Sequence, residues 1–237
     1  MDNLAICLPM QDDVSSAFCL SLVGVVAATR SVRLVMVTSA GGSIVTKARD
    51  YCIEMVETSE ASPQVGHIEW LMWFDDDMQF PPDTVERLLK REKDIVGCAY
   101  PRRKPPHDTL GKTIGGAPLI VNSGLVEMEG LGFGCILMKR NIFEKFRKPY
   151  FRLTFDEERG VTHGEDFYFC ARARELGYKI WCDIDLSKEI GHVGEQVLYN
   201  QEDRVEPMKL PDAMGVWPHK TRPFGDRLMN GAASVGR

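Results

Sequence analysis

Residues 68–74, the start of the stretch IEWLMWFDDDMQFPP, make a nearly unbroken apolar run that ends on three consecutive acids, Asp75, Asp76 and Asp77. A run of that length, closed by charge and then by two prolines, reads as a strand buried in the middle of a sheet. Such a strand needs apolar cover on both faces, so the flanking segments have to provide helices.

They do. LAICLPM (4–10) reads as a short strand stopped by Pro9, and SSAFCLSLVGVVAAT (15–29) as a helix capped by Ser15 or Ser16. SVRLVMVTS (31–39) is rich in β-branched residues and predicts a second strand, followed after AGGS by a helix over about 43–57. PPDTVERLLKRE predicts a helix entered through proline, and KDIVGCAY a fourth strand. Strand and helix alternate, which predicts an α/β chain with a mixed, mostly parallel sheet. The second half is less regular. Residues 101–116 predict a long mobile loop; 117–147 predict one or two antiparallel strands and a short helix at 141–147. HGEDFYFCARARELG predicts an amphipathic helix ending at Gly177, and YKIWCDIDL a strand. From about 200 onward apolar clusters thin out, which predicts a flap or tail over 201–237 behind one domain over 1–200, itself divided into halves at 1–100 and 117–200.

Composition narrows the function. A net charge of -5 disfavours a general nucleic-acid coat. The most apolar helical segment, 18–29, is too short to span a bilayer and no leader pattern opens the chain, so the expectation is a cytoplasmic protein without a membrane span. Seven cysteines without a C-x-x-C pair suit reduced, buried thiols.

The three acids sit where a central strand ends, the edge at which open α/β sheets bind ligands. Clustered carboxylates repel, and a divalent cation relieves that: Asp75 and Asp77 are candidate ligands for Mn²⁺ or Mg²⁺, and Asp76 for donor ribose or backbone. Capping of the following helix, or simple solubilisation of a loop, is the alternative for all three. Glu165 and Asp166 fall in the first turn of a helix, where a carboxylate can take a proton from a hydroxyl or simply complement the helix dipole. His192, between Gly191 and Gly194, is a candidate further metal ligand or a surface-turn histidine. Lys47 and Arg49 oppose the dipole of their helix, so a nucleotide or a salt bridge to Asp50 or Glu54 has to attract them. Arg102, Arg103, Lys104 and Lys112 can meet a diphosphate or an anionic acceptor, or form a solvated charge run. GLGFGC (130–135) lacks the strand–turn–helix setting of a dinucleotide fingerprint; it reads as backbone lining a sugar pocket or as a tightly packed strand.

In order, ICLPM, SIVTKARD, WLMWFDDDMQFPPDTVERLL, DIVGCAYPRRK, GLGFGCILMKRNIFEKF, HGEDFYFCARARELGYKIWCD and IGHVG resemble the GT-A glycosyltransferases, in particular the small family-2-like enzymes carried by bacteriophages. The resemblance spans roughly residues 3–195. It implies a Rossmann-like nucleotide-binding half joined to a smaller acceptor half, with Mn²⁺ or Mg²⁺ and a nucleotide-sugar donor, a UDP-sugar first among them. It implies that Asp75 and Asp77 are the ends of a metal-holding D-x-D, that His192 completes the metal or diphosphate site, and that Asp166 is the catalytic base of an inverting transfer with Glu165 beside it. Lys47 and Arg49 fall in the segment that approaches the nucleotide. The opening PMQDD departs from the family's P-x-x-N/D pattern and leaves Asp12 or Asp13 as the base-contacting acid. The short, basic segment between the D-x-D and the ED pair departs too, and leaves the acceptor open: modified phage DNA or a glycan, with Lys220, Arg222 and Arg227 available to an anionic one. A nucleotidyltransferase acting on a sugar phosphate, and a non-catalytic nucleotide- or glycan-binding domain of the same fold, remain as alternatives; the acidic charge disfavours a metal nuclease.

Overall fold

The apolar pattern of the first half becomes β1 (Asn3–Met10), α1 (Ser16–Ala28), β2 (Arg33–Gly41), α2 (Val45–Ser59), β3 (Trp70–Phe74), a two-residue β4 (Met78–Gln79), α3 (Thr84–Leu89) and β5 (Ile95–Gly97). The second half continues with β6 (Tyr100–Pro101), β7 (Thr109–Thr113), β8 (Leu125–Leu131), β9 (Cys135–Lys139), β10 (Thr154–Asp156), β11 (Val161–His163), α4 (Glu165–Glu175), β12 (Ile180–Asp183), α5 (Ile184–Ser187) and β13 (Gly191–His192). The structure is a computed structural model and describes residues 1–10, 14–42, 44–103, 107–116, 122–157 and 160–194. The expected tail at 201–237 lies outside the described residues, as do Asp12, Asp13 and Lys104.

Local chemistry sets several boundaries. Ser15 Oγ accepts the Phe18 N–H at 3.1 Å and starts α1. Asp183 ends β12 early: its Oδ1 accepts the Leu186 N–H at 3.0 Å and opens α5, so the strand expected over 178–186 turns into a helix at Ile184. The helix expected at 141–147 is a 3-10 segment, Arg140–Lys145. Residues 101–116 are not one loop, because β6 and β7 pair antiparallel across it, Tyr100 with Leu110 and Pro101 with Thr109.

Nine strands form one sheet in the order β2-β1-β3-β9-β5-β12-β8-β7-β6. The expected mostly parallel sheet is corrected here. Three neighbouring pairs are parallel, β1–β2, β1–β3 and β5–β12, and five are antiparallel. The reason is β9, which inserts between β3 and β5 running against both, so two strands that a helical crossover would have made neighbours are separated. The architecture is α/β with a large mixed sheet.

Side chains leave β3 alternately into two apolar layers. Leu71 and Trp73 join a cluster with Ile53 and Val56 of α2 and Phe169 and Ala173 of α4. Trp70, Met72 and Phe74 join Phe18 and Val25 of α1 and Val85 and Leu88 of α3. Successive helices thus cover opposite faces, as a strand buried on both sides requires. The strand order turns outward on either side of β1, with β2 to one side and β3 to the other. In open α/β sheets ligands bind at such a reversal, outside the C-terminal strand ends, and the three aspartates follow the C-terminal end of β3. Six of the seven cysteines are buried as free thiols, and Cys19 is exposed.

Candidate active site

Asp75–Asp77 do not prolong β3. They form a tight turn in which the Met78 N–H donates to the Asp75 carbonyl at 3.3 Å, and the chain then enters β4. Strand alternation therefore does not aim their side chains; individual partners do. Helix capping is removed as their role, since β4 intervenes and α3 is entered from Asp83.

One arm of the site is buried. Arg49, 3% exposed, projects inward from α2 with its guanidinium 5.1 Å from the centre of the Phe133 ring. Its Nη2 donates to Asp75 Oδ1 at 2.9 Å and its Nε to Glu165 Oε1 at 3.2 Å. One side chain thus ties the end of β3 to the first turn of α4. The ion-pair partners of Arg49 are Asp75 and Glu165, not the Asp50 or Glu54 expected from the sequence. Burial opposes the charge on Arg49, and the two carboxylates outweigh it and raise its pKa. Asp75 is raised by burial and by Asp77 and Glu165, against the pull of Arg49. Lys47 points elsewhere: it is exposed and lines a cleft of about 570 Å³ with Gly41, Gly42, Ile44 and Tyr51, so the helix separates the two cations that the sequence grouped.

Asp166 lies beside this arm. It is half-buried, and the Phe167 N–H donates to its Oδ1 at 2.7 Å. The curl-back needs Gly164, where a Cβ would stand 2.6 Å from that oxygen. Burial and the neighbouring Glu165 push the Asp166 pKa up to about 6, while Arg49 and the Phe167 N–H hold it down. A carboxyl titrating near 6 can take up a proton at neutral pH and still be ionised beforehand, which suits a general base.

The other arm faces outward. His192 Nδ1 is 2.8 Å from the Pro101 carbonyl, which only accepts, so Nδ1 carries the proton. Nε2 then lies 3.2 Å from Asp77 Oδ2, and Arg103 Nη1 lies 3.0 Å from the same oxygen. Burial lowers the His192 pKa, but the bonds to Asp77 and Pro101 outweigh it and raise it. An imidazole nitrogen and a carboxylate oxygen at this separation can share a proton, or both can serve as ligands to one divalent cation. The backbone bond at Nδ1 is the support that metal-binding histidines use. The donor set at Asp77 and His192 therefore fits Mn²⁺ or Mg²⁺. Asp75 is turned to Arg49, and among the described residues no three His, Cys, Asp or Glu side chains converge on one point. Asp76 is half-buried in the same turn.

Tyr100 joins the two arms and was not anticipated. Its ring meets His192 edge-on at 5.4 Å, and its hydroxyl accepts the Gly134 N–H at 2.8 Å. A Cβ at Gly132 or Gly134 would crowd that oxygen, so these two glycines make room for Tyr100, while a Cβ at Gly130 would stand 2.8 Å from the Phe167 ring of α4; the three face side chains, not an open pocket. The closely spaced glycines of this segment were the available signal of close approach by neighbouring groups. Burial, with Asp75 and Asp166 nearby, raises the Tyr100 pKa well above its usual value.

No protein-family model matches the sequence, and neither does any curated protein. Among solved structures the chain is similar to one titled "Crystal Structure of A197 from STIV", with a TM-score of 0.55 and 19% identity over 89% of this chain and 99% of that one. At that identity the likeness concerns the fold alone, an α/β chain built on a large mixed sheet.

Proposed function

We propose that the chain is a GT-A-type glycosyltransferase that moves a sugar from a nucleoside diphosphate sugar to an acceptor hydroxyl, dependent on Mn²⁺ or Mg²⁺. The observation that carries this reading is convergence: residues 75–77, 165–166 and 192, far apart in sequence, share the C-terminal edge of the sheet, and Asp166 among them has a pKa near 6. Asp77 and His192 would hold the cation, with Asp75 fixed beside them by Arg49. When bound, the cation supplies positive charge for the diphosphate that leaves. Asp166 takes the proton of the acceptor hydroxyl as that oxygen attacks the anomeric carbon, which inverts the configuration there. Arg49 holds Glu165 in an ion pair beside the base and so fixes the first turn of α4 that carries Asp166.

The test is a thermal-shift and calorimetric panel of UDP-, GDP- and other nucleotide sugars with and without Mn²⁺. Stabilisation by at least one donor, dependent on the metal, is expected. A chain indifferent to every donor under both conditions would not be a glycosyltransferase.

A further inference from the structure

An arginine and a histidine share one carboxylate oxygen at the outward arm. Arg103 Nη1 and His192 Nε2 stand 3.0 Å and 3.2 Å from Asp77 Oδ2. The two partners differ in how firmly they are held. His192 is 8% exposed, anchored at Nδ1 and packed against Tyr100. Arg103 is 56% exposed. The backbone leading into Arg103 is fixed independently of its side chain: the Arg102 N–H donates to the Asp108 carbonyl at 2.9 Å, and Pro101 is held by His192. Releasing Arg103 from Asp77 therefore takes only side-chain rotation, and exposed ion pairs of this kind resist exchange weakly.

We propose that Arg103 is the exchangeable occupant of the cation position at Asp77: a divalent cation displaces it, and the freed guanidinium binds the phosphate oxygens of the nucleoside diphosphate that the cation carries. This rests on the reading of Asp77 and His192 as the cation site. A guanidinium fork matches a phosphate better than it matches one shared carboxylate oxygen, so the exchange places Arg103 on the partner its geometry suits. Arg49, with the same side chain, has no such freedom, because two carboxylates hold it in the interior.

The test is calorimetry on the full chain, first with MnCl₂ alone and then with UDP, GDP and ADP in saturating Mn²⁺, the tightest being carried through the variants. Arg103→Gln should bind Mn²⁺ roughly five- to tenfold more tightly than the wild type, since a positive competitor has gone. The same variant should bind the nucleoside diphosphate roughly tenfold more weakly, since a charge-assisted contact has gone. Opposite signs in one variant are not what a damaged fold gives. Arg103→Lys, which keeps the charge, should hold Mn²⁺ affinity within about twofold of wild type. Lys179→Gln, paired with Glu127 at the other end of the sheet, should change neither. Arg103→Gln with unchanged Mn²⁺ affinity, or with both affinities lowered, overturns the exchange while leaving the metal site standing. A wild type that binds no Mn²⁺ overturns the metal site and the exchange together, and one that binds Mn²⁺ but none of the three diphosphates overturns the exchange.

Discussion

Two arginine–aspartate pairs lie two residues apart on the same turn and have nearly the same length. Arg49 meets Asp75 at 2.9 Å and Arg103 meets Asp77 at 3.0 Å. The first arginine is 3% exposed and bridges to a second carboxylate; the second is 56% exposed and shares its oxygen with a histidine. Distance alone does not distinguish them, but solvent does. In the interior the pair is a fixed part of the fold, because neither charge can be left without the other. At the edge water takes over either charge, and the pair is replaceable.

The sharpest way to break that contrast is Arg49→Met. It strips the counter-charge from Asp75 and Glu165 at once, and removing one partner of a buried pair typically costs about 3–5 kcal/mol. For a chain of this size that is a fall of roughly 10 °C in Tm. Urea unfolding at pH 7 measures it. A variant within about 1 kcal/mol of wild type would mean that the interior is wet enough to solvate both acids, and the contrast would collapse.

Asp166→Asn probes the boundary between the two arms. The Asp166 pKa is raised to about 6, against an unfolded value near 3.9. A raised carboxyl contributes stability that is fully present below about pH 4 and is lost as pH rises through 6. Asparagine is neutral throughout and still accepts the Phe167 N–H. The variant should therefore be more stable than wild type by ~1–2 kcal/mol at pH 8, after discounting for the half-exposed setting, and lose that advantage by pH 4. Sugar transfer should fall by roughly a thousandfold in the same variant while donor binding survives. A protein that gains stability as it loses turnover identifies a group held in its site for chemistry; unchanged turnover would remove Asp166 from that role.

The contrast also marks what could be read in the sequence. Periodicity reports burial, and burial runs along single elements. That is why β1, α1, β2, α2 and β3 appear where 4–10, 15–29, 31–39, 43–57 and 68–74 predict them, and why α4 starts with Glu165 and Asp166 in its first turn. Pairing between elements is not periodic. Nothing in CILMK tells β9 to run against β3, and that single insertion turned an expected parallel sheet into a mixed one. The site follows the same rule. Asp75, Asp77, Asp166 and His192 stood out by residue type and setting. The direction of Arg49 did not, because it depends on Phe133 and Glu165 arriving from elsewhere in the chain. Tyr100 was hidden in an apolar strand, and Arg103 in a basic run whose members look alike until one of them meets Asp77. Lys47 shows the converse: two positions from Arg49 on a helix is the opposite side, a geometric fact available from the spacing.

The smallest effect is the most discriminating. In the absence of metal, Arg103→Gln should change the unfolding free energy by no more than about 0.5 kcal/mol, because water solvates Asp77 as the guanidinium leaves and His192 remains beside it. Whatever difference exists should shrink further in 0.5 M NaCl, where the screening length falls to a few ångströms, whereas the loss in Arg49→Met should survive the salt almost intact. Measuring both variants at low and high salt thus separates a pair that belongs to the fold from one that only waits at the site. If Arg103→Gln proved as costly as Arg49→Met, Arg103 would be anchoring the β6–β7 turn and would not be available to anything that binds there.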